Sequence, residues 1–244
     1  MANPVLLGAS GFVPHSLGVA GAVTVAFAVL ARAVRGVTLS GAIAGGAICF
    51  VLYACGGPGS FAALVAVFVV TWAATRFGYS QKQKLGTAEK REGRNAWQVL
   101  ANLLIATAGT AIFALTQRAE FLLAASAAFS EAAADTVSSE FGQALGRDAW
   151  LITSWKRVPA GANGGVTVAG TLAGVLAATL VSLVLVLSGT LPWRWLGFSV
   201  TAALAGTVVD SFLGACLERP RLLNNNAVNF LSTLAAAGTA LLLA

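Results

Sequence analysis

The chain has 244 residues, of which 57% are hydrophobic and only 10% are charged. Soluble domains carry roughly a quarter charged residues, and a soluble fold of this size could not bury so much apolar surface. This excludes a soluble domain and predicts one integral membrane domain over residues 1–244. The formal net charge of +6 follows from the loop charges described below, so no nucleic-acid partner is expected.

Eight apolar segments are each long enough to cross a bilayer as a helix, which takes roughly 20 residues. The segments are 15–31, 37–55, 59–75, 96–115, 119–135, 165–188, 192–216 and 227–244. They lack the alternation that marks a membrane β-strand and are rich in Ala, Leu and Gly, so helices are favoured. The polar stretch 76–95 is interpreted as a loop. The predicted fold is therefore all-α, a polytopic transmembrane bundle of about eight spans.

The basic residues give this bundle an orientation. Every Lys and Arg except Arg118 and Arg194 follows span 1, 3, 5 or 7. Short cytoplasmic loops hold the excess of positive charge in membrane proteins. We therefore expect these loops on the cytoplasmic side of the cell (inner) membrane, and both termini on the extracytoplasmic side.

Two aspartates lie near the cytoplasmic ends of parallel spans. Asp135, in AADTVSSEFG, ends span 5, and Asp210, in GTVVDSFLG, lies in span 7. Carboxylates at membrane depth face the bundle interior and need a partner. The pair could share Mg²⁺ with phosphate oxygens as further ligands, or each could simply cap or hydrogen-bond a neighbouring helix. Glu131 shares the face of Asp135, whereas Glu140 joins the site only if the helix breaks near 136–140.

Spans 4, 6 and 8 begin at the same face, where helix N-termini favour anions. Their entries are polar, and ordinary helix capping is the alternative explanation. The candidate nucleotide- or phosphate-binding residues at these entries are Arg94, Asn102, Asn163, Gly164, Gly165, Asn225 and Asn229. Lys156 is a further candidate in the basic loops, as are Lys82 and Lys84, which are equally explained as solvated positive-inside charges.

Several motifs in residues 76–230 occur together in one family. They are KLG at 84–86, GRNAWQVLAN at 93–102, ADTVSSEFG at 134–142, LITSWKRVPAGANGGVTVAGTLAG at 151–174, GTVVDSFLGA at 206–215 and NNNAVNF at 224–230. With these motifs the chain resembles the membrane proteins related to transmembrane protein 19 and plant phytyl-phosphate kinase. The resemblance extends to the positions of Asp135, Glu140, Asn163, Gly164, Gly165, Asp210, Asn225 and Asn229.

The resemblance implies a kinase in which a nucleoside triphosphate, CTP or another, phosphorylates a prenyl or phytyl monophosphate to the diphosphate. Asp135, Asp210 and Glu140 would then be the catalytic and Mg²⁺-binding residues. The acceptor phosphate is already largely ionised at neutral pH, so no general base is required. The chain has no GxxxxGK[ST] sequence, which argues against a P-loop enzyme.

The alternative function is a transporter of a lipid phosphate or an organic anion. Transport sites usually lie near the membrane midplane between inverted repeats, whereas the polar residues here gather at one face. The kinase is therefore favoured over the transporter. The sequence leaves open the nucleotide, the length of the acceptor chain and the oligomeric state.

Overall fold

The computed structural model describes residues 16–146 and 148–244 and shows a bundle of helices. Arg147 and His15, the first residue of predicted span 1, lie outside the described residues. The helices are α1 (Leu17–Ala33), α2 (Leu39–Arg76), α3 (Tyr79–Leu85), α4 (Ala96–Thr116), α5 (Glu120–Leu145), α6 (Val168–Leu187), α7 (Leu196–Leu213) and α8 (Asn225–Leu243). A 3₁₀ turn, Trp193–Trp195, leads into α7, and a π-helical turn, Gly214–Glu218, extends it.

Five of the described helices are long and apolar enough to cross a membrane. They are Leu39–Arg76, Ala96–Thr116, Val168–Leu187, Trp193–Glu218 and Asn225–Leu243, and Leu17–Ala33 is a shorter apolar helix. The chain is thus a multi-pass helical membrane protein, which confirms the coarse prediction. The count of eight spans and the side on which the termini lie stay predictions.

Helix α2 reverses direction at Gly57. This residue has φ 67° and ψ −162°, so it is not helical, and glycine adopts such a positive φ at little cost. Trp72 Nε1 and Arg76 Nη2, near the end of α2, both donate to the carbonyl of Val34 at 3.2 and 2.6 Å. Val34 lies just before α2 begins, so the two halves of α2 are antiparallel. They correspond to the predicted segments 37–55 and 59–75.

One end of the bundle, called the polar end here, is where α2, α4, α6 and α8 begin and where α5 and α7 end. Each helix that begins there has a side-chain cap, which satisfies an N–H group that lacks a helical partner. Thr38 N donates to the Arg94 carbonyl (3.0 Å), and Arg94 Nη2 donates to Thr136 Oγ1 (3.2 Å), so the start of α4 is tied to α2 and α5. The capping residues are Thr38, Asn95, Thr167 and Asn224.

Helix α5 is the central helix of the bundle. Its residues from Leu123 to Ala134 are all buried, and most are alanine or serine, so neighbouring helices pack closely against it. Ser130 shares a hydrogen bond with Ser182 of α6, which shares another with Ser199 of α7, each at 2.8 Å. The predicted apolar segment ends at position 135, but the helix continues for ten more residues through a polar sequence and ends at Leu145. Asp135 is thus held inside a rigid helix.

The polar connections contain more structure than the all-α prediction assigned to them. A three-stranded antiparallel sheet, in the order β2-β1-β3, follows α5. Its strands are β1 (Asp148–Leu151), β2 (Arg157–Pro159) and β3 (Gly165–Val166), too short for an alternation to be recognised in the sequence. Stretch 76–95, predicted as a loop, contains helix α3.

Candidate functional site

A polar cavity of about 390 Å³ lies at the polar end, between α5, α6, α7 and the loop that ends in β3. Hydroxyl, amide and carboxyl groups line most of it, together with the backbone of 161–166. The predicted residues that line it are Asp135, Asn163, Gly164, Gly165, Asp210 and Asn225. The structure thus brings the two aspartates and two of the three helix entries to one cavity.

Asp135 and Asp210 face each other in this cavity. Asp135 lies on α5 and Asp210 in the last turn of α7, and both helices run toward the polar end. Their carboxyl groups are within hydrogen-bonding range of each other. In the described part of the chain, Asp210 Oδ2 is buried and has no hydrogen-bond partner. Such a pair of carboxyl groups has lone pairs available to a cation.

Glu131 extends this acidic pair into the bundle. It lies one turn before Asp135, is 1% exposed, and its Oε1 has no hydrogen-bond partner among the described residues. Its charge interacts with both aspartates, and Ser232 of α8, whose hydroxyl donates to the Asn229 carbonyl (3.0 Å), lies near Glu131 and Asp210. The sequence placed Glu131 on the face of Asp135 without assigning it to the site. In the structure it borders the site, one helical turn farther from the polar end than Asp135.

Glu218 is a cavity residue that the sequence patterns did not predict. It is half-buried, and its carboxyl group lies close to the Asn163 side chain and to Asp135. It comes eight positions after Asp210, which on an ideal α-helix places it about 80° away. The π-helical turn Gly214–Glu218 changes the rotation per residue and turns Glu218 into the cavity. Only the structure reveals such a local change.

The two aspartates fit a divalent cation that also binds phosphate. Among the described residues there is no group of three or more His, Cys, Asp and Glu side chains arranged to hold a metal alone. Mg²⁺ usually takes one or two carboxylates and completes its shell with water and substrate phosphates. The facing pair and the unpartnered Oδ2 of Asp210 match that smaller ligand set.

The glycines before α6 have a structural role that the sequence did not indicate. Gly164 has φ 76°, and a Cβ there would lie 2.6 Å from the backbone nitrogen of Ala215. The close approach at Gly164 is thus to the protein's own π-helical turn. Gly165 similarly lies close to the Ala162 carbonyl. Both glycines hold the loop against its neighbours, and the loop backbone lines the cavity.

Lys82 and Glu140 form a separate, buried ion pair. Lys82 is 0% exposed and donates to Glu140 Oε2 (2.5 Å) and to the carbonyls of Ala74 and Thr75. Helix α5 does not break near 136–140, so Glu140 stays on a different face from Asp135. The structure therefore does not bring Glu140 to the aspartates. The ammonium group of Lys82 donates to three protein oxygens and does not line the polar cavity.

The other predicted phosphate ligands are spread over the polar end. Lys84 and Lys156 are exposed and line neither described cavity. Asn102 and Asn229 are buried and pair with each other, Nδ2 of Asn229 donating to Oδ1 of Asn102 at 3.3 Å. Arg94 is half-buried, and its charge interacts with Asp135. The structure thus links Arg94 to the acidic pair through its interaction with Asp135.

Comparisons with known proteins identify the relatives of the chain. The family described as integral membrane protein DUF92 matches residues 22–237. An uncharacterized membrane protein of Synechocystis, sll0875, is 32% identical over 78% of this chain and 76% of its own length. Protein VTE6, chloroplastic, of Arabidopsis thaliana is 33% identical over 72% of this chain and 56% of its own length. An uncharacterized membrane protein of Methanocaldococcus jannaschii, MJ0933, is 33% identical over 70% of both chains.

No solved structure matches the chain. The family match covers most of the sequence, including all the motifs quoted above and both aspartates of the polar cavity. The chain therefore belongs to the integral membrane family DUF92, which confirms the resemblance to the transmembrane protein 19 and plant phytyl-phosphate kinase family.

Proposed function

We propose that the protein is a membrane kinase of isoprenoid monophosphates, which transfers a phosphoryl group from a nucleoside triphosphate to a prenyl or phytyl monophosphate. The observation that carries this proposal is the facing pair Asp135 and Asp210 in a polar cavity bordered by helix N-termini. Membership of the phytyl-phosphate kinase family supports the same reaction. The products are the isoprenoid diphosphate and a nucleoside diphosphate.

The residues of the cavity suit a reaction that depends on position and charge. A bond forms between the γ-phosphorus and an oxygen of the acceptor phosphate, and the bond to the bridging oxygen of the leaving diphosphate breaks. Mg²⁺, when bound, neutralises phosphate charge, and Asp135 and Asp210 would hold it. The backbone N–H groups at the N-terminus of α6 and the Asn225 side chain would donate to phosphate oxygens.

Arg94 is positioned to bind the acceptor phosphate. Its guanidinium donates to Thr136, and its charge interacts with that of Asp135. A cation there stabilises the negative charge of two phosphates brought close together. Because the acceptor is already ionised, the site needs no general base.

Purified protein with Mg²⁺, a panel of nucleoside triphosphates and prenyl monophosphates tests this proposal. We expect isoprenoid diphosphate to form with at least one nucleotide, and no product in excess EDTA. If no triphosphate is consumed and the protein instead moves a phosphorylated lipid or an organic anion across sealed vesicles, the kinase proposal is wrong and the protein is a transporter.

We further propose that the polar end faces the cytoplasm, where soluble nucleotide is available. Exposed cationic side chains at this end, such as Lys84 and Lys156, support that orientation. In a background carrying Cys216→Ser, which removes the exposed native thiol, Lys84→Cys should react with an impermeant maleimide only from the cytoplasmic side. Arg118→Cys, at the exposed turn between α4 and α5, should react only from outside. Labelling of both positions from one side contradicts this orientation.

A further inference from the structure

A second cavity, of about 340 Å³, lies between α1, the two halves of α2 and α4. Its walls away from the polar end are apolar and include Phe27, Leu64, Val67, Phe68, Val99 and Leu103. This volume is within the range of pockets that bury small ligands. We call it the apolar cavity.

The mouth of the apolar cavity lies at the polar end and is strongly basic. Arg35, Arg76, Lys90, Arg91 and Arg94 line it. Among the described residues that line it, Glu89 is the one acidic residue. It already accepts hydrogen bonds from the Gln98 side chain and the Lys90 backbone, each at 3.0 Å. The mouth therefore attracts an anionic group, and the apolar walls behind it suit a hydrocarbon chain.

Arg94 connects this mouth to the polar cavity. It lines the apolar cavity, while its guanidinium donates to Thr136 of α5 and its charge interacts with Asp135. Its backbone is fixed, because its N–H donates to the Gly36 carbonyl (3.1 Å) and its carbonyl accepts from the Thr38 N–H (3.0 Å). An anion held at the mouth by Arg94 would thus lie next to the acidic pair.

We propose that the apolar cavity binds the tail of a linear isoprenoid monophosphate, with its phosphate at the basic mouth beside Arg94. This inference rests on the proposed function and assigns the acceptor to a site separate from the nucleotide. The tail leaves a bilayer that is as apolar as the cavity, so burial itself contributes little to binding. The shape of the cavity therefore selects the tail, and its depth limits the tail length.

Gly45 offers a way to shorten the cavity. It lines the apolar cavity, and among the described residues a Cβ added there meets only Val99 Cγ1, at 3.9 Å, so the backbone leaves room for a larger residue to occupy part of the cavity. Gly21→Leu is the matched control, because Gly21 lies on α1 outside the lining and no described residue lies within 4 Å of its Cβ position. Both changes replace a helical glycine with the same residue.

The readout is the ratio of kcat/KM for geranylgeranyl monophosphate to that for dimethylallyl monophosphate. We expect Gly45→Leu to lower this ratio about tenfold, the discrimination typical of a changed apolar pocket. Gly21→Leu should leave the ratio at the wild-type value. An unchanged ratio in Gly45→Leu would overturn the proposal, because the variant would then handle long and short tails alike.

A binding experiment separates this inference from the kinase proposal, since it needs no turnover. A geranylgeranyl monophosphate that carries a photoreactive group at the end of its tail is irradiated with the wild-type protein, and labelled peptides are identified by mass spectrometry. We expect labels at Phe27, Leu64 or Leu103, reduced in Gly45→Leu but not in Gly21→Leu. Labels elsewhere, or loss of labelling when excess diacyl phospholipid is added, overturn the tail site. If the cavity is labelled but the purified protein forms no diphosphate with any nucleotide, the tail site is supported and the kinase proposal is wrong.

Discussion

Replacing Asp210 with Asn is expected to lower kcat/KM for phosphoryl transfer by more than about 100-fold, because loss of an outer-shell partner of a metal already costs about 10- to 100-fold. Asn keeps the size of the side chain but removes the charge that would hold Mg²⁺ opposite Asp135. Asp135→Asn should have the same effect. The measurement is the rate of diphosphate formation over a range of Mg²⁺ concentrations, with unfolding in detergent monitored in parallel.

Asp148→Asn provides the matched control for these variants. Asp148 is exposed on β1, lies 3.7 Å from Arg157 and does not line the polar cavity. We expect the activity and the Mg²⁺ dependence of Asp148→Asn to equal those of the wild type. If Asp210→Asn and Asp135→Asn are folded and also keep full activity, the pair is not the metal site.

Lys82→Met is expected to lower the free energy of unfolding by about 3–5 kcal/mol, the usual cost of removing one partner of a buried ion pair. The change leaves the Glu140 carboxylate, whose side chain is only 12% exposed, without its cation. It also leaves the carbonyls of Ala74 and Thr75 without their donor. Chemical denaturation in detergent measures the loss.

Two further variants decide whether Lys82 is structural or binds phosphate. Lys84→Met, on the exposed side of the same short helix, should change stability by less than about 0.5 kcal/mol. Lys82→Met with Glu140→Leu should recover part of the stability, since it removes both charges together. A stable Lys82→Met protein with a raised KM for the triphosphate would instead assign Lys82 to nucleotide binding.

The sequence was sufficient to predict that Asp135 and Asp210 meet. Hydropathy assigns them to predicted spans 5 and 7, and counting the spans makes these two segments parallel, so their proximity is expected without a structure. The same reasoning brings the entries of α6 and α8 to that face, and the cavity contains residues from both. These predictions rest on membrane thickness and chain direction, which depend little on packing detail.

Other residues could not be assigned from the sequence, because their positions depend on how elements pack. Lys82 meets Glu140 only because α3, in a stretch predicted as a loop, lies against α5. Glu218 enters the polar cavity through a π-helical turn that hydropathy does not detect. The apolar cavity lies between α1, the two halves of α2, α4 and a basic loop, and hydropathy cannot show that a space is left between them.

The helices around the polar cavity alternate in the charge that they present to it. Helices α5 and α7 carry the carboxyl groups of Asp135 and Asp210, which attract cations and repel anions, whereas the amino ends of α6 and α8 attract anions. A free phosphate would therefore be repelled from one side of the cavity unless a metal ion accompanied it. On the proposed function, the cavity is matched to a metal ion and a phosphate together. The magnesium complex of the nucleotide would then bind as a preformed unit, with its cation toward Asp135 and Asp210 and its phosphates toward α6 and α8.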